Sequence, residues 1–145
     1  MKKKAIQERK VLDRFIDACH DFPKGRIFKT ESPDFILAVN PKYRIGIELT
    51  HLHNPAEKKN TSYKIIRITR EILDAVILKK KEKIPLYEKK KLNEIWLIIT
   101  VIDPDQLPGF NLDNKLENWN FQIGFNRVFL FNLFDHKIFR LNGQE

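Results

Sequence analysis

The sequence predicts an α/β domain, a mixed β-sheet flanked by helices. Three observations carry that expectation. The amino-terminal segment repeats its apolar residues at helical spacing. Short apolar runs separated by turn residues come next, and Asn93 to Ile102 then forms a near-continuous apolar run of the kind found in strands covered on both faces.

The elements follow in chain order. A first helix is expected from about Lys4 to Phe22, where Ala5, Leu12, Phe15, Ile16 and Cys19 form one apolar stripe. Glu8 sits on that stripe, one turn before Leu12, although a glutamate in an early turn is also favoured by the helix dipole. Gly25 to Thr30 reads as a short strand. After Pro33, Phe35-Ile36-Leu37-Ala38-Val39 reads as a second, ended by the turn composition of Asn40-Pro41-Lys42-Tyr43. Ile45 to His51 forms the third. A long second helix begins at Asn60, Thr61 or Ser62 and runs to about Lys81. Ile65, Ile68, Ile72, Ala75 and Val76 lie on one face, Ile66, Leu73 and Ile77 widen it, and Lys79-Lys80-Lys81 complements the dipole at its end. The apolar run from Asn93 follows and is stopped by Asp103-Pro104-Asp105, read as turn formers. Gln106 to Asn126 reads as a loop with one helical turn near Leu116. A hairpin, Arg127 to Leu133 and Lys137 to Leu141, closes an α-β-β-β-α-β succession.

Two residues break the apolar logic of the strands. Asp34 opens the second strand and Glu48 lies within the third, where an ionised carboxylate carries a desolvation cost unless it is paired, hydrogen-bonded or bound to a metal. If these strands form a hairpin, the two acids lie toward the same end and meet across it. Converging carboxylates make a hard oxygen site suited to Mg²⁺. A structural account competes: Asp after proline serves turns, and Glu48 can pair with a lysine from a helix packed over the sheet.

Pro33-Asp34 followed one strand later by Glu48-Leu49-Thr50 resembles the core motif of the PD-(D/E)XK nuclease superfamily, with Thr50 where that family carries lysine. The resemblance implies a restriction-endonuclease-like fold spanning residues 1–145 as a single domain. It also implies a Mg²⁺ (or Mn²⁺) cofactor held by Asp34, Glu48 and the Leu49 carbonyl with help from Glu8, and hydrolysis of DNA or RNA phosphodiesters by a metal-activated water. With threonine at position 50, a substitute cation is expected, Lys64 and Arg67 being the nearest candidates by topology and His51 or His53 a third option. A His-x-His pair without further ligands at suitable spacing argues poorly for zinc.

Charge points toward the same partner. The net charge of +8 in 145 residues and a pI of about 9.6 favour a polyanion, whose bound counterions are released by Lys and Arg contacts. Lys58, Lys59, Lys89, Lys90 and Lys91 are the candidate nucleic-acid contacts, with Arg67, and DNA is favoured over RNA. A lysine-rich surface also serves solubility. Without zinc-finger spacing or a helix-turn-helix pattern, contacts would be directed to the backbone. The 42% hydrophobic content suits one core, and no apolar segment reaches membrane-spanning length. The single Cys19 reads as core packing in a cytoplasmic protein. A homodimer could use the aromatic-rich Phe121 to Phe139, although those residues could equally be core. The alternative to a nuclease is a catalytically inactive nucleic-acid-binding or assembly module that keeps the fold.

Overall fold

The computed structural model describes residues 2–52, 70–102 and 124–141. Helix α1 spans Lys2–Ala18 and is followed by β1 (Arg26–Lys29), β2 (Phe35–Asn40) and β3 (Tyr43–His51). Helix α2 (Arg70–Lys81), a short α3 (Ile84–Glu88), β4 (Glu94–Val101), β5 (Arg127–Asn132) and β6 (Ile138–Arg140) complete the described chain. The six strands form one mixed sheet in the order β1-β2-β3-β4-β5-β6. β1 to β3 are antiparallel neighbours, β3, β4 and β5 run parallel, and β6 returns antiparallel. The parallel β3–β4 step follows from the helical crossover between them, since a tight turn can join only antiparallel strands.

Helices cover both faces. Leu12 and Phe15 of α1 pack with Phe35, Leu37, Ile45, Ile47, Trp96, Ile98, Phe129 and Phe131 on one side. Leu73 and Ile77 of α2 and Tyr87 of α3 pack with Leu97, Ile99, Val128 and Leu130 on the other. β4 therefore divides its side chains between two cores, which is why its sequence is apolar without alternation. Each such large side chain contributes roughly 1.5–3 kcal/mol by leaving water.

Several boundaries differ from the sequence expectation. α1 ends at Ala18 rather than Phe22, because Pro23 disfavours helix at the residue before it. The chain tightens into turns there, with the Cys19 amide on the Ile16 carbonyl and the Phe22 amide on the Cys19 carbonyl. Phe22 then stacks edge-on against Phe15 and Trp96. Cys19 is half-buried against the α1-side core, as expected, and its thiol donates to Asp21 at 3.3 Å. On α2 the buried stripe centres on Leu73 and Ile77, with Ala75 exposed. Helix α3, with Pro85 in its first turn, has no counterpart in the sequence expectation. Phe125, Phe129 and Phe131 belong to the cores, so of the described aromatic residues near the carboxyl end it is Phe134 that stands exposed. Asp103, Asp105, the expected turn near Leu116 and the start of the second helix lie outside the described residues.

Candidate functional site

The hairpin register decides where the two acids point. Phe35 pairs with Ile47, so Asp34 falls opposite Glu48, and residues directly opposed across antiparallel strands share a face. Ile45 and Ile47 enter the α1-side core, which leaves Gly46, Glu48 and Thr50 on the α2 side. The carboxylates clasp each other's strands. The Asp34 amide donates to Glu48 Oε1 at 3.1 Å, and the Leu49 amide donates to Asp34 Oδ2 at 2.9 Å.

The loop before Asp34 is held closely. Its Ser32–Pro33 bond is cis, the Thr30 amide donates to the Asp34 carbonyl at 2.8 Å, and the Thr30 hydroxyl donates to the Pro33 carbonyl. The loop lies down on the sheet at Gly46. A Cβ there would stand 2.5 Å from Leu92 Cδ1 and 2.9 Å from Pro33 Cγ, so the bare α-carbon makes room for the proline that aims Asp34.

Glu48 is 3% exposed, and Lys80 reaches it from the last turn of α2, with Nζ 2.9 Å from Oε2. Sequence patterning assigns Lys80 to the helix dipole and to a lysine cluster that could line a groove beside the carboxylates, but looks for the substitute cation at Lys64 or Arg67. Those two lie outside the described residues, as do His53, Lys58 and Lys59. A signal for Lys80 does exist in the chain: it follows buried Leu73 and Ile77 by seven and three positions, so helical periodicity returns it to the sheet-facing side. This pairing is also what a structural role for Glu48 requires.

Asp34 is different, because its carboxylate has no close cationic partner among the described residues. Burial, then the neighbouring Glu48 charge, push its carboxyl up to about 6. Glu8 adds to the rise, while the Leu49 amide and Lys29 oppose it. Lys29 sits 3.4 Å from Glu8 and donates to the Asp34 carbonyl at 3.2 Å. Glu8 thus lies near Asp34 but is engaged by Lys29. Among the described residues no group of three or more His, Cys, Asp or Glu side chains is gathered closely enough to hold a metal ion.

A cavity of about 480 Å³ opens beside these groups at the carboxyl ends of the parallel strands, where open α/β sheets commonly place ligands. Glu8, Asp34, Glu48, Leu49, Thr50 and Lys80 all line it, and Lys4 and Lys83 add positive charge. His51 lines it too, although β3 stays regular through this residue. Its Nδ1 lies 2.8 Å from the Thr100 hydroxyl, which in turn donates to the Thr50 carbonyl at 3.4 Å. Tyr87, to which sequence patterning gives no role, is buried next to Glu48.

Lys89, Lys90 and Lys91 lie in the turn before β4, toward the opposite end of β3 from Thr50. Lys89 and Lys91 are exposed. Lys90 braces the structure instead, since its ammonium donates to the Glu31 carbonyl at 3.3 Å and its own carbonyl accepts from the Arg44 guanidinium at 3.0 Å. No helix among the described residues is long and apolar enough to cross a membrane. Compared with protein-family models, curated proteins and solved structures, the chain matches none.

Proposed function

We propose that this protein is a Mg²⁺-dependent nuclease of restriction-endonuclease-like fold, hydrolysing phosphodiester bonds of DNA or RNA. The observation that carries this reading is the Asp34–Glu48 pair, opposed across β2 and β3 at a cavity that Lys80 also lines. The element order supports it as well, since a helix, an antiparallel β1-β2-β3 set, a second helix and a further strand are the succession that the motif resemblance implies.

The donor set fits a hard cation. Mg²⁺ takes one or two carboxylates and fills its remaining positions with water and substrate phosphate, so it needs no third acid. Asp34 and Glu48 would hold it, with the Leu49 carbonyl as a further oxygen donor, while Glu8 stays with Lys29. Bound there, the ion would activate a water and offset phosphate charge. The remaining roles fall to the chain's own residues. Lys80 takes the place of the lysine that position 50 lacks and stabilises charge developing on a phosphoryl oxygen. The Thr50 hydroxyl orients the attacking water. Lys4 and Lys83 draw the polyanion into the cavity, and Lys89 and Lys91 extend the basic surface.

Incubation with plasmid DNA and with RNA, with and without Mg²⁺ or Mn²⁺, tests the reading. Metal-dependent cleavage lost in both Asp34→Ala and Glu48→Ala is the expected result, and cleavage surviving in those variants would assign the activity elsewhere. A second reading, a binding module without catalysis, is favoured by the engagement of Glu48 by Lys80. It predicts salt-dependent binding with no cleavage under any metal.

A further inference from the structure

Tyr87 plays no part in the chemistry proposed above. Its side chain is 0% exposed, seated with Leu73, Ile77 and Leu97, and its ring centroid lies 6.3 Å from that of Phe125. Leu97 is the β4 partner of Glu48, so the ring packs on the face of the sheet that bears that carboxylate. The neighbourhood shows in the phenol's acidity, since burial, then the Glu48 charge and the approach of the hydroxyl to that carboxylate raise its pKa. Yet that approach stops short of a formed bond, and the hydroxyl reaches hydrogen-bond geometry with no partner among the described residues. A buried donor left unpaired carries a desolvation cost, and such groups call for an explanation.

The explanation lies in the two sides of Glu48. On the cavity side Lys80 holds Oε2 at 2.9 Å while itself lining the cavity, where an anionic ligand would compete for its ammonium. On the core side stands Tyr87, which does not line the cavity. If Lys80 turned to a ligand with nothing to replace it, Glu48 would lose a charged donor.

We propose that Tyr87 is the standby donor of Glu48: when Lys80 leaves for a phosphate oxygen in the cavity, the Tyr87 hydroxyl closes on the carboxylate and keeps it in place. Tyr87 is thus a positioning residue, acting through Glu48 and touching no substrate. The trigger rests on the phosphodiesterase reading, because it needs a phosphate-bearing ligand. The handover itself needs neither metal nor turnover.

Two measurements test it. The first is thermal unfolding of the wild type, Tyr87→Phe, Lys80→Met and the double variant, without metal or ligand. Alone, Tyr87→Phe removes an unpaired hydroxyl and leaves the melting temperature unchanged or higher. In the Lys80→Met background the hydroxyl has become the donor to Glu48, and its removal lowers the melting temperature by about 4 °C. Equal effects in the two backgrounds would overturn the handover. The second is calorimetric titration with inorganic phosphate. Lys80→Met should abolish binding and Tyr87→Phe should weaken it roughly threefold or more, the share of one hydrogen bond. Phosphate binding that Tyr87→Phe leaves unchanged overturns the handover alone. Absence of phosphate binding to the wild type would overturn the phosphodiesterase reading together with the trigger.

Discussion

Lys80 and Glu48 are 32 positions apart in the chain, yet the ammonium of one lies 2.9 Å from a carboxylate oxygen of the other, with the two side chains 19% and 4% exposed. The contact joins the end of the crossover helix to the strand that the helix follows. It gives the site the cation that Thr50 cannot supply.

Lys80→Met should therefore do two things. It leaves Glu48 short of a donor, which lowers stability by on the order of 2 kcal/mol in urea unfolding, a loss moderated by water in the adjoining cavity. It also lowers metal-dependent cleavage by at least about tenfold, in the range seen when one electrostatic stabiliser is lost. Thr50→Lys adds a competing ammonium on the Glu48 side of β3. In the wild-type background it should not raise the rate, and in the Lys80→Met background it should restore part of it. Rescue absent from the double variant would mean that position 50 does not reach the reacting phosphate.

The acidity of Asp34 gives a pH dependence whose sign can be worked out. Its folded-state value of about 6 exceeds the ordinary 3.8, so between these values the folded chain binds more protons than the unfolded one. Stability from this residue is then fully present below about pH 4 and is lost as pH rises through 6. Asp34→Asn keeps an acceptor for the Leu49 amide but cannot ionise. It should stabilise the metal-free protein at pH 7–8 by on the order of 1 kcal/mol, allowing for solvent screening, and have little effect at pH 4. Saturating Mg²⁺ should shrink or reverse the gain, because the ion favours the charged wild-type carboxylate. A variant with the same stability increment at both pH values would refute the assigned protonation.

The basic turn before β4 separates into contact and support. Lys89→Ala with Lys91→Ala should weaken DNA binding evenly across sequences and reduce the log–log salt slope by up to about 2, near one unit per lost phosphate contact. Lys90→Ala should act differently, since Lys90 holds the Glu31 carbonyl in the loop leading to Asp34. Its signature is reduced cleavage beyond the loss of binding. A salt slope unmoved by the double variant would assign Lys89 and Lys91 to solubility.

Gly46→Ala tests how Asp34 is aimed. The added methyl meets Leu92 and the Pro33 ring, so the loop must lift or the leucine must turn away. A cost of about 1–3 kcal/mol is expected for such overpacking, with loss of metal-dependent cleavage. Full activity at wild-type stability would show that the loop does not need the space.

What can be read in the sequence is whatever local patterning determines. β2, β3 and β4 lie close to where their apolar runs and turn residues put them, and Asp34 and Glu48 meet because a short hairpin leaves little freedom of register. Lys80 is legible only as one of a lysine cluster expected beside the carboxylates, because three consecutive lysines at a helix end serve equally well as a dipole complement. Only the buried Leu73 and Ile77 single out the middle one. Tyr87 escapes local patterning for another reason: Pro85 looks like a chain breaker, yet in a first turn it starts a helix, and that helix turns the tyrosine inward. The engagement of Glu8 by Lys29 depends on where α1 settles against the sheet edge, which no local pattern encodes.

The crossed bonds between the acids and the opposing backbone also act as a proofreading device for the hairpin. A slip of β2 against β3 by one residue would send Asp34 and Glu48 to opposite faces, strand the Leu49 amide and push the flanking Phe35 and Ile47 out of the same core. Mispaired chains are thus penalised by the residues on which the proposed chemistry rests. The pair therefore serves assembly whatever the site does, so the persistence of both acids in a relative would testify to correct pairing before it testified to activity.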